Sequence, residues 1–436
     1  MTTLTQLAEQ ALESARKLDA FAETSFQCDT LSDLPPELET ERKNLVDASQ
    51  AMKRLSLGAV GSMLETLFTF TDLQALHYIY HNKIPAYVPA EGDTSFEDVA
   101  KAAGVDPGPL RRFLQHAMAS NFFVETRPGF VGHSPASLLL RNDTGAMDTV
   151  GFLLEDLAPA ALQTVRAYEK WPNSSEPNET GFNVAEATEK PFYRLLADDP
   201  ERSRRFGAGM RFMTEGSLYD LSHLVNGYDW AALNDAKATV VDVGGGHGSV
   251  SIALAKAFPA LRFVVQDLEG TVHSGKKELP AELQHQVNFM PHDFFSEQPV
   301  HGADVYFFRF IFHNWADKYA TKILHALIPA LKPGARIVIY EFLPDAVATT
   351  KWSQKQPRNL DMIQALGWNS LERTQDDWAA LFDKAGAGFQ FIGTKIPPGS
   401  AVSLIEASWR GADVVAGTTM PIKSQVSKPI ELVAEA

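Results

Sequence analysis

The chain has 436 residues, 45% of them hydrophobic and 21% charged, a globular composition long enough for two cores. A formal net charge of −15 argues against a nucleic-acid partner, because binding phosphate needs a basic surface. The one cysteine, Cys28, leaves no intrachain disulfide, and no window approaches the roughly 20 apolar residues of a membrane span. Residues 1–27 lack the apolar stretch of a secretory signal, so the expectation is a cytoplasmic protein.

Residues 1–30 read as an amphipathic helix carrying Leu4, Leu7, Leu12 and Leu18, followed by the linker Ser32-Asp33-Leu34-Pro35-Pro36. Residues 40–85 show apolar positions at helical spacing, including Met52, Leu55, Leu64 and Leu67, and read as one continuous helix. Next comes a capped start at Thr94 to Glu97, a turn at Gly104 to Pro107, a helix from Leu110 to Ala119 and a hairpin around Pro128-Gly129. That is winged-helix grammar, but residues 91–140 hold six acidic residues against four basic ones (Lys101, Arg111, Arg112, Arg127). A recognition helix in that field would be repelled by phosphate, so dimerisation or a lid is the better expectation.

Residues 145–230 read as helices broken by the loop Trp171 to Pro177. From about 238, short β-branched runs alternate with helical stretches, the pattern of a parallel sheet with crossover helices. The expected divisions are a helical extension (1–40), a winged-helix-like domain (41–145), a helical connecting or lid region (146–230), an α/β domain (231–411) and a tail (412–436).

The strongest motif is Asp242-Val243-Gly244-Gly245-Gly246-His247-Gly248, between the strand Thr239 to Val241 and a helix from Val250 to Ala257. Gly244, Gly246 and Gly248 allow a tight turn and a close approach of backbone to ligand. Asp267 ends the next strand, where a carboxylate can accept ribose hydroxyls. Asp242, just ahead of the loop, would oppose a pyrophosphate yet suit a ligand bearing ammonium and sulfonium groups. The dinucleotide pattern fails at Ser249. S-adenosylmethionine therefore fits better than NAD. Asp293 and Phe294, after the predicted third strand, can hold an adenine amino group and cover its ring.

His313 leaves the fourth predicted strand, where open α/β sheets bind ligands. An imidazole of ordinary pKa near ~6.5 can take a phenolic proton as methyl transfer proceeds. Glu341, after the fifth strand, and Glu372 should reach the same rim and orient that imidazole. Trp315 and Arg309 are candidate cofactor contacts. His116, His133, His285 and His292 show no H-x-x-x-H or H-E-x-x-H pairing, so no catalytic metal is expected.

These residues resemble those of the caffeate-type and flavonoid-type O-methyltransferases, and still more the fungal O-methyltransferases of polyketide gene clusters, over about residues 40–410. The matching pieces are Asp242 to Gly248, Gln266-Asp267-Leu268, Arg309 with His313-Asn314-Trp315, and Glu372-Arg373-Thr374. The resemblance implies a Rossmann-like class I methyltransferase sheet preceded by an α-helical winged-helix dimerisation domain. It implies a homodimer, S-adenosylmethionine as cofactor with S-adenosylhomocysteine as product, and a small aromatic or polyketide-like substrate. It gives His313 the general base, flanked by Glu341 and Glu372, and places Asp267 at the ribose. Asp293 and Phe294 fall at the adenine, and Leu268, Arg309 and Trp315 are further cofactor contacts. Asn314, Leu371, Ile363, Gly367 and Trp368 depart from the plant pattern and bear on the substrate, which Met210, Phe212 and Met213 are also candidates to line. A rival reading is a methyltransferase-like protein that keeps its S-adenosylmethionine and steers a pericyclic reaction or dehydration.

Overall fold

In the computed structural model, residues 3–21 and 34–411 are described. Cys28, Ser32 and Asp33 of the expected linker, and the tail from 412 lie outside them. The chain divides into two compact units, Met1–Gln163 with Asp199–Glu215, and Thr164–Asp198 with Gly216–Ala436. No described helix is long and apolar enough to cross a membrane.

In the N-terminal unit, the helix Leu4–Phe21 buries Leu7 and Leu18 while Leu4 and Leu12 stay exposed. The expected continuous helix spans Pro36–His81 but breaks at Gly58, whose φ of 65° lies in the left-handed region. Two helical rods therefore replace one, because glycine enters that region without steric cost.

The winged-helix part follows the sequence closely. Ser95 accepts from the Asp98 N–H at 3.0 Å and starts the helix Phe96–Ala103, which Gly104 ends at φ 69°. A second helix, Pro107–Ala119, precedes the hairpin β2 (Val124–Arg127) and β3 (Phe130–Gly132), and β3 also pairs with β1 (Thr94–Ser95). Phe96, Val99, Leu110, Leu114, Phe123 and Val131 form its core.

The C-terminal unit is built on a seven-stranded sheet in the order β6-β5-β4-β7-β8-β10-β9. The strands are β4 (Thr239–Val243), β5 (Arg262–Asp267), β6 (Val287–Pro291), β7 (Val305–Arg309), β8 (Arg336–Glu341), β9 (Phe389–Lys395) and β10 (Ser403–Trp409). The strands β4 to β8 are mutually parallel, and β10 runs antiparallel to both its neighbours. Successive side chains alternate between two cores. Val241, Tyr306, Phe308, Ile337 and Ile339 enter one, and Val240, Val305, Phe307, Val338 and Tyr340 enter the other. Burial on both faces explains the unbroken apolar runs of these strands. Because β5 and β6 lie on one side of β4 and β7 on the other, the winding direction reverses between β4 and β7. Open sheets leave a ligand crevice at that point.

Packing around β10 is tight enough to test. A methyl group on Gly388 would lie 2.4 Å from the Trp409 ring, which packs on Phe389. We expect Gly388→Ala to destabilise this unit by about 1–3 kcal/mol, the usual cost of overpacking. Thermal unfolding reads this directly, and an unchanged midpoint would contradict the packing described.

Candidate active site

The carboxyl ends of β4 to β8 carry the glycine loop, Asp267, Asp293 with Phe294, Arg309 with the His313 turn, and Glu341. After β4, Gly244, Gly246 and Gly248 all take positive φ (71°, 58° and 79°). The need at Gly244 is steric as well, since a Cβ there would lie 2.5 Å from Ile311 Cδ1. The loop is tied to β5: the N–H groups of Gly244 and Gly245 donate to the Gln266 carbonyl, and the Gly246 N–H donates to Asp267 Oδ2 at 2.9 Å. The other Asp267 oxygen accepts from the Leu268 N–H at 2.8 Å. Burial raises the Asp267 pKa against these two backbone donors.

A cavity opens here. Its walls are Gly244, Asp267 and Leu268, the turn His292 to Phe295, then Ile311, Asn314 and Trp315, with Tyr193 from the helix Phe192–Ala197. Among these lining residues there are two carboxylates, Asp267 and Asp293, and no lysine or arginine. Such a lining favours a cationic ligand over a phosphate-bearing one. Trp315 is held edge-on against Phe294 and Phe295, at ring distances of 6.1 and 4.7 Å. Asp293 is exposed, and its Oδ1 accepts from the Phe295 N–H.

Asp242 stands elsewhere. It is 2% exposed, beneath Gly245, with Oδ2 accepting from the Ser251 hydroxyl at 2.7 Å. Burial pushes its pKa up to about 6, with Ser251 and Arg309 pulling the other way. It braces the loop from within and does not line the cavity. Arg309 is partly buried, its guanidinium 5.0 Å from the Phe310 ring and its Nε, itself out of solvent, without a hydrogen-bond partner among the described residues.

Beyond β7 the backbone bends at Phe310, whose φ of 54° is rare for an aromatic residue, and a short turn, Phe312–Asn314, presents His313. His313 Nδ1 lies 2.8 Å from Glu372 Oε1, with the two side chains 13% and 1% exposed. A carboxylate only accepts, so Nδ1 carries the proton, and in the neutral ring Nε2 keeps a free lone pair. Gln364 Nε2, 3.2 Å from the same Nδ1, has no lone pair to meet there. Its amide is turned by Ser370, whose hydroxyl reaches Gln364 Oε1 at 3.2 Å and the His313 carbonyl at 2.7 Å. Glu341, at the end of β8, accepts from the Ile311 and Phe312 N–H groups at 2.8 and 2.6 Å and so fixes the turn. Arg373, fully buried beside Glu372, donates to the carbonyls of Phe312 and Trp315 and to Asp317.

Burial alone would lower the His313 pKa, but the charges of Glu372 and then Glu341 outweigh it and raise it. Burial pushes Glu341 up to about 7, relieved by the His313 charge and aggravated by Glu372. The ionisation of His313 and that of Glu341 are therefore linked.

The O-methyltransferase domain family matches residues 175–390. The chain is 34% identical over 417 residues to the chlorophenol O-methyltransferase of Trichoderma longibrachiatum, covering 92% of this chain and 89% of that one. It is 37% identical to the O-methyltransferase AMT9 of Alternaria alternata, over 85% and 87% of the two chains. It belongs to the O-methyltransferase family. Among solved structures it resembles OxaC (TM-score 0.75, 20% identity, 93% of this chain and 98% of that one), which has also been crystallised with SAH and oxaline. It also resembles a pericyclic reaction enzyme (TM-score 0.70, 21% identity, 93% and 100%). At such identities both show the fold, which is the class I methyltransferase architecture expected from the sequence.

Within this O-methyltransferase, the structure gathers Gly244, Asp267, Leu268, Asp293, Phe294 and Trp315 around one cavity and His313, Glu341 and Glu372 into one cluster. Gly246 and Gly248 shape the loop without lining the cavity. Ile363, Gly367 and Trp368 lie on the helix Lys355–Trp368, where Trp368 packs against Phe192 and Tyr193. Met210, Phe212 and Met213 lie on the helix Pro200–Thr214 of the other unit, where Phe212 packs beside Gly145. Tyr193, Gln364, Ser370 and the buried role of Arg373 were not anticipated.

The raised Glu341 pKa has a consequence for stability. A carboxyl whose folded pKa exceeds its unfolded value stabilises the fold at low pH and loses that contribution as pH rises toward about 7. Raised His313 acts in the same direction. We expect Glu341→Gln, which keeps an acceptor for both N–H groups, to gain thermal stability over the wild type between pH 5 and pH 8, roughly across this window. A difference independent of pH would contradict the assignment of Glu341 as the group ionising there.

Proposed function

We propose that this O-methyltransferase transfers a methyl group to a hydroxyl of a small aromatic or polyketide-derived molecule, with His313 as general base and no metal. S-adenosylmethionine is the cofactor, and when bound it supplies an electrophilic methyl group on a positively charged sulfur. Asp267 is suited to the ribose hydroxyls, since each of its oxygens uses one backbone N–H and retains acceptor capacity. Asp293, Phe294 and Trp315 would hold and cover the adenine, and Leu268 and the glycine loop would pack on the nucleoside. Arg309 and Asp242 act from below, through the loop and the end of β7.

The His313–Glu372 pair carries the reading. His313 Nε2 takes the hydroxyl proton while the oxygen's electron pair forms the new bond to carbon. The carbon–sulfur pair stays on sulfur, leaving S-adenosylhomocysteine. Glu372 stabilises the imidazolium that results, and Glu341 adds to that field. Ile363, Gly367 and Trp368 are proposed to meet the substrate ring. The likeness to a pericyclic reaction enzyme keeps open a second reading, in which the cofactor is retained and no methyl moves. A base held by a buried carboxylate favours methylation.

The N-terminal unit supports a homodimer. After Gly58 the helix Pro36–His81 exposes Val60, Met63, Leu67, Phe68 and Phe70, each more than half accessible. A helix apolar around so much of its surface needs a cover, and we propose a second copy of this chain. A cytoplasmic location completes the proposal.

Incubation with S-adenosylmethionine and candidate phenols should yield a product heavier by one CH2 together with S-adenosylhomocysteine. Turnover without that gain, with the cofactor intact, would establish the second reading. His313→Ala should lower kcat by at least ~100-fold, the low end for a general base; an unchanged rate removes His313 from the mechanism. Light scattering should find a dimer that Leu67→Glu with Phe70→Glu converts to a monomer, and a monomeric wild type would refute the interface.

A further inference from the structure

The N-terminal unit holds a cluster that methyl transfer does not use. His77 and His81 are four residues apart on the last turns of the helix Pro36–His81, so both imidazoles leave the same face. This is the H-x-x-x-H spacing that the four histidines weighed in the sequence lack. Glu155 faces them from the π-helical turn Phe152–Leu157. Its Oε1 lies 3.7 Å from His77 Nε2 and 4.0 Å from His81 Nδ1. All three ligand atoms fall within 4.8 Å of one another.

The close approach of the two elements is built into the sequence. A Cβ on Gly151 would sit 2.2 Å from the Tyr80 hydroxyl, so only glycine lets Tyr80, between the two histidines, pass so near. Glu155 follows Gly151 by four residues and is thereby set opposite the imidazoles. Its orientation is fixed from behind, because its other oxygen, Oε2, pairs with Arg205. The Arg205 charge is shared with Asp156, which is fully buried and also pairs with Arg202.

We propose that His77, His81 and Glu155 form a binding site for a divalent transition-metal ion of the zinc type, bracing the end of the long helix against the π-helical turn. Two imidazoles and a carboxylate are a set that zinc and its neighbours accept. A tetrahedral ion with bonds of roughly 2.1 Å needs ligands about 3.4 Å apart, slightly closer than the present contacts. Exposed imidazoles, 49% and 71% accessible, can close that gap by small rotations. The carboxyl end of the helix, with its partial negative charge, adds to the attraction for a cation. Three protein ligands leave a fourth position to water.

The test is calorimetric titration of the full chain with zinc chloride, with thermal unfolding alongside. We expect about one ion per chain and a raised midpoint. His81→Ala and Glu155→Gln should each weaken binding by at least ~10-fold and abolish the rise, since losing a ligand should cost no less than losing an outer partner. His116→Ala, a histidine of the same unit paired with Asp72, should leave both readouts unchanged. No binding by the wild type, or equal binding by His81→Ala and Glu155→Gln, would overturn the proposal.

Discussion

The hydrogen bond from His313 to Glu372, 2.8 Å long and almost wholly out of water, sets which nitrogen of the imidazole is free. With its proton committed at Nδ1, the ring offers a lone pair only at Nε2. Everything around it maintains that choice. Glu341 gathers the two N–H groups of the turn, and Arg373 gathers its carbonyls from the far side. Ser370 turns the Gln364 amide and holds the His313 carbonyl. Removing any one partner would leave another buried polar group unmatched, a cost of about 1–3 kcal/mol for a neutral group and more for a charge.

That cluster stands where it does because of the sheet. Parallel strands buried on both faces deliver their carboxyl ends to one edge, and the reversal of winding between β4 and β7 opens a crevice there. The glycine loop, Asp267 and the His313 turn thus meet although up to 71 residues separate Asp242 from His313 in the chain. The cavity lining carries carboxylates without basic residues, a field suited to a sulfonium nucleoside.

Much of this was legible in the sequence because it is local. Positive φ at Gly244, Gly246 and Gly248, the strand ends at Asp267 and Glu341, and the capped helices of the winged part follow from short-range rules. What stayed hidden depends on packing at long range. Asp242 reads as a ligand contact from its position, yet lies under Gly245 and serves Ser251. Tyr193 reaches the cavity from a short helix more than 40 residues ahead of β4, with no motif to mark it. Gly58 looks like any tolerated glycine within a helical period until the backbone shows the break. His77 and His81 gain meaning only when the close approach at Gly151 brings Glu155 to them.

Nitrogen NMR of histidine-labelled enzyme, with the His313 signal assigned by its loss in His313→Ala, observes the decisive proton itself. Above the imidazole pKa the account predicts a proton on Nδ1 and a bare Nε2. A neutral His313 ring protonated at Nε2 instead would have no lone pair there and would contradict the proposed role as base.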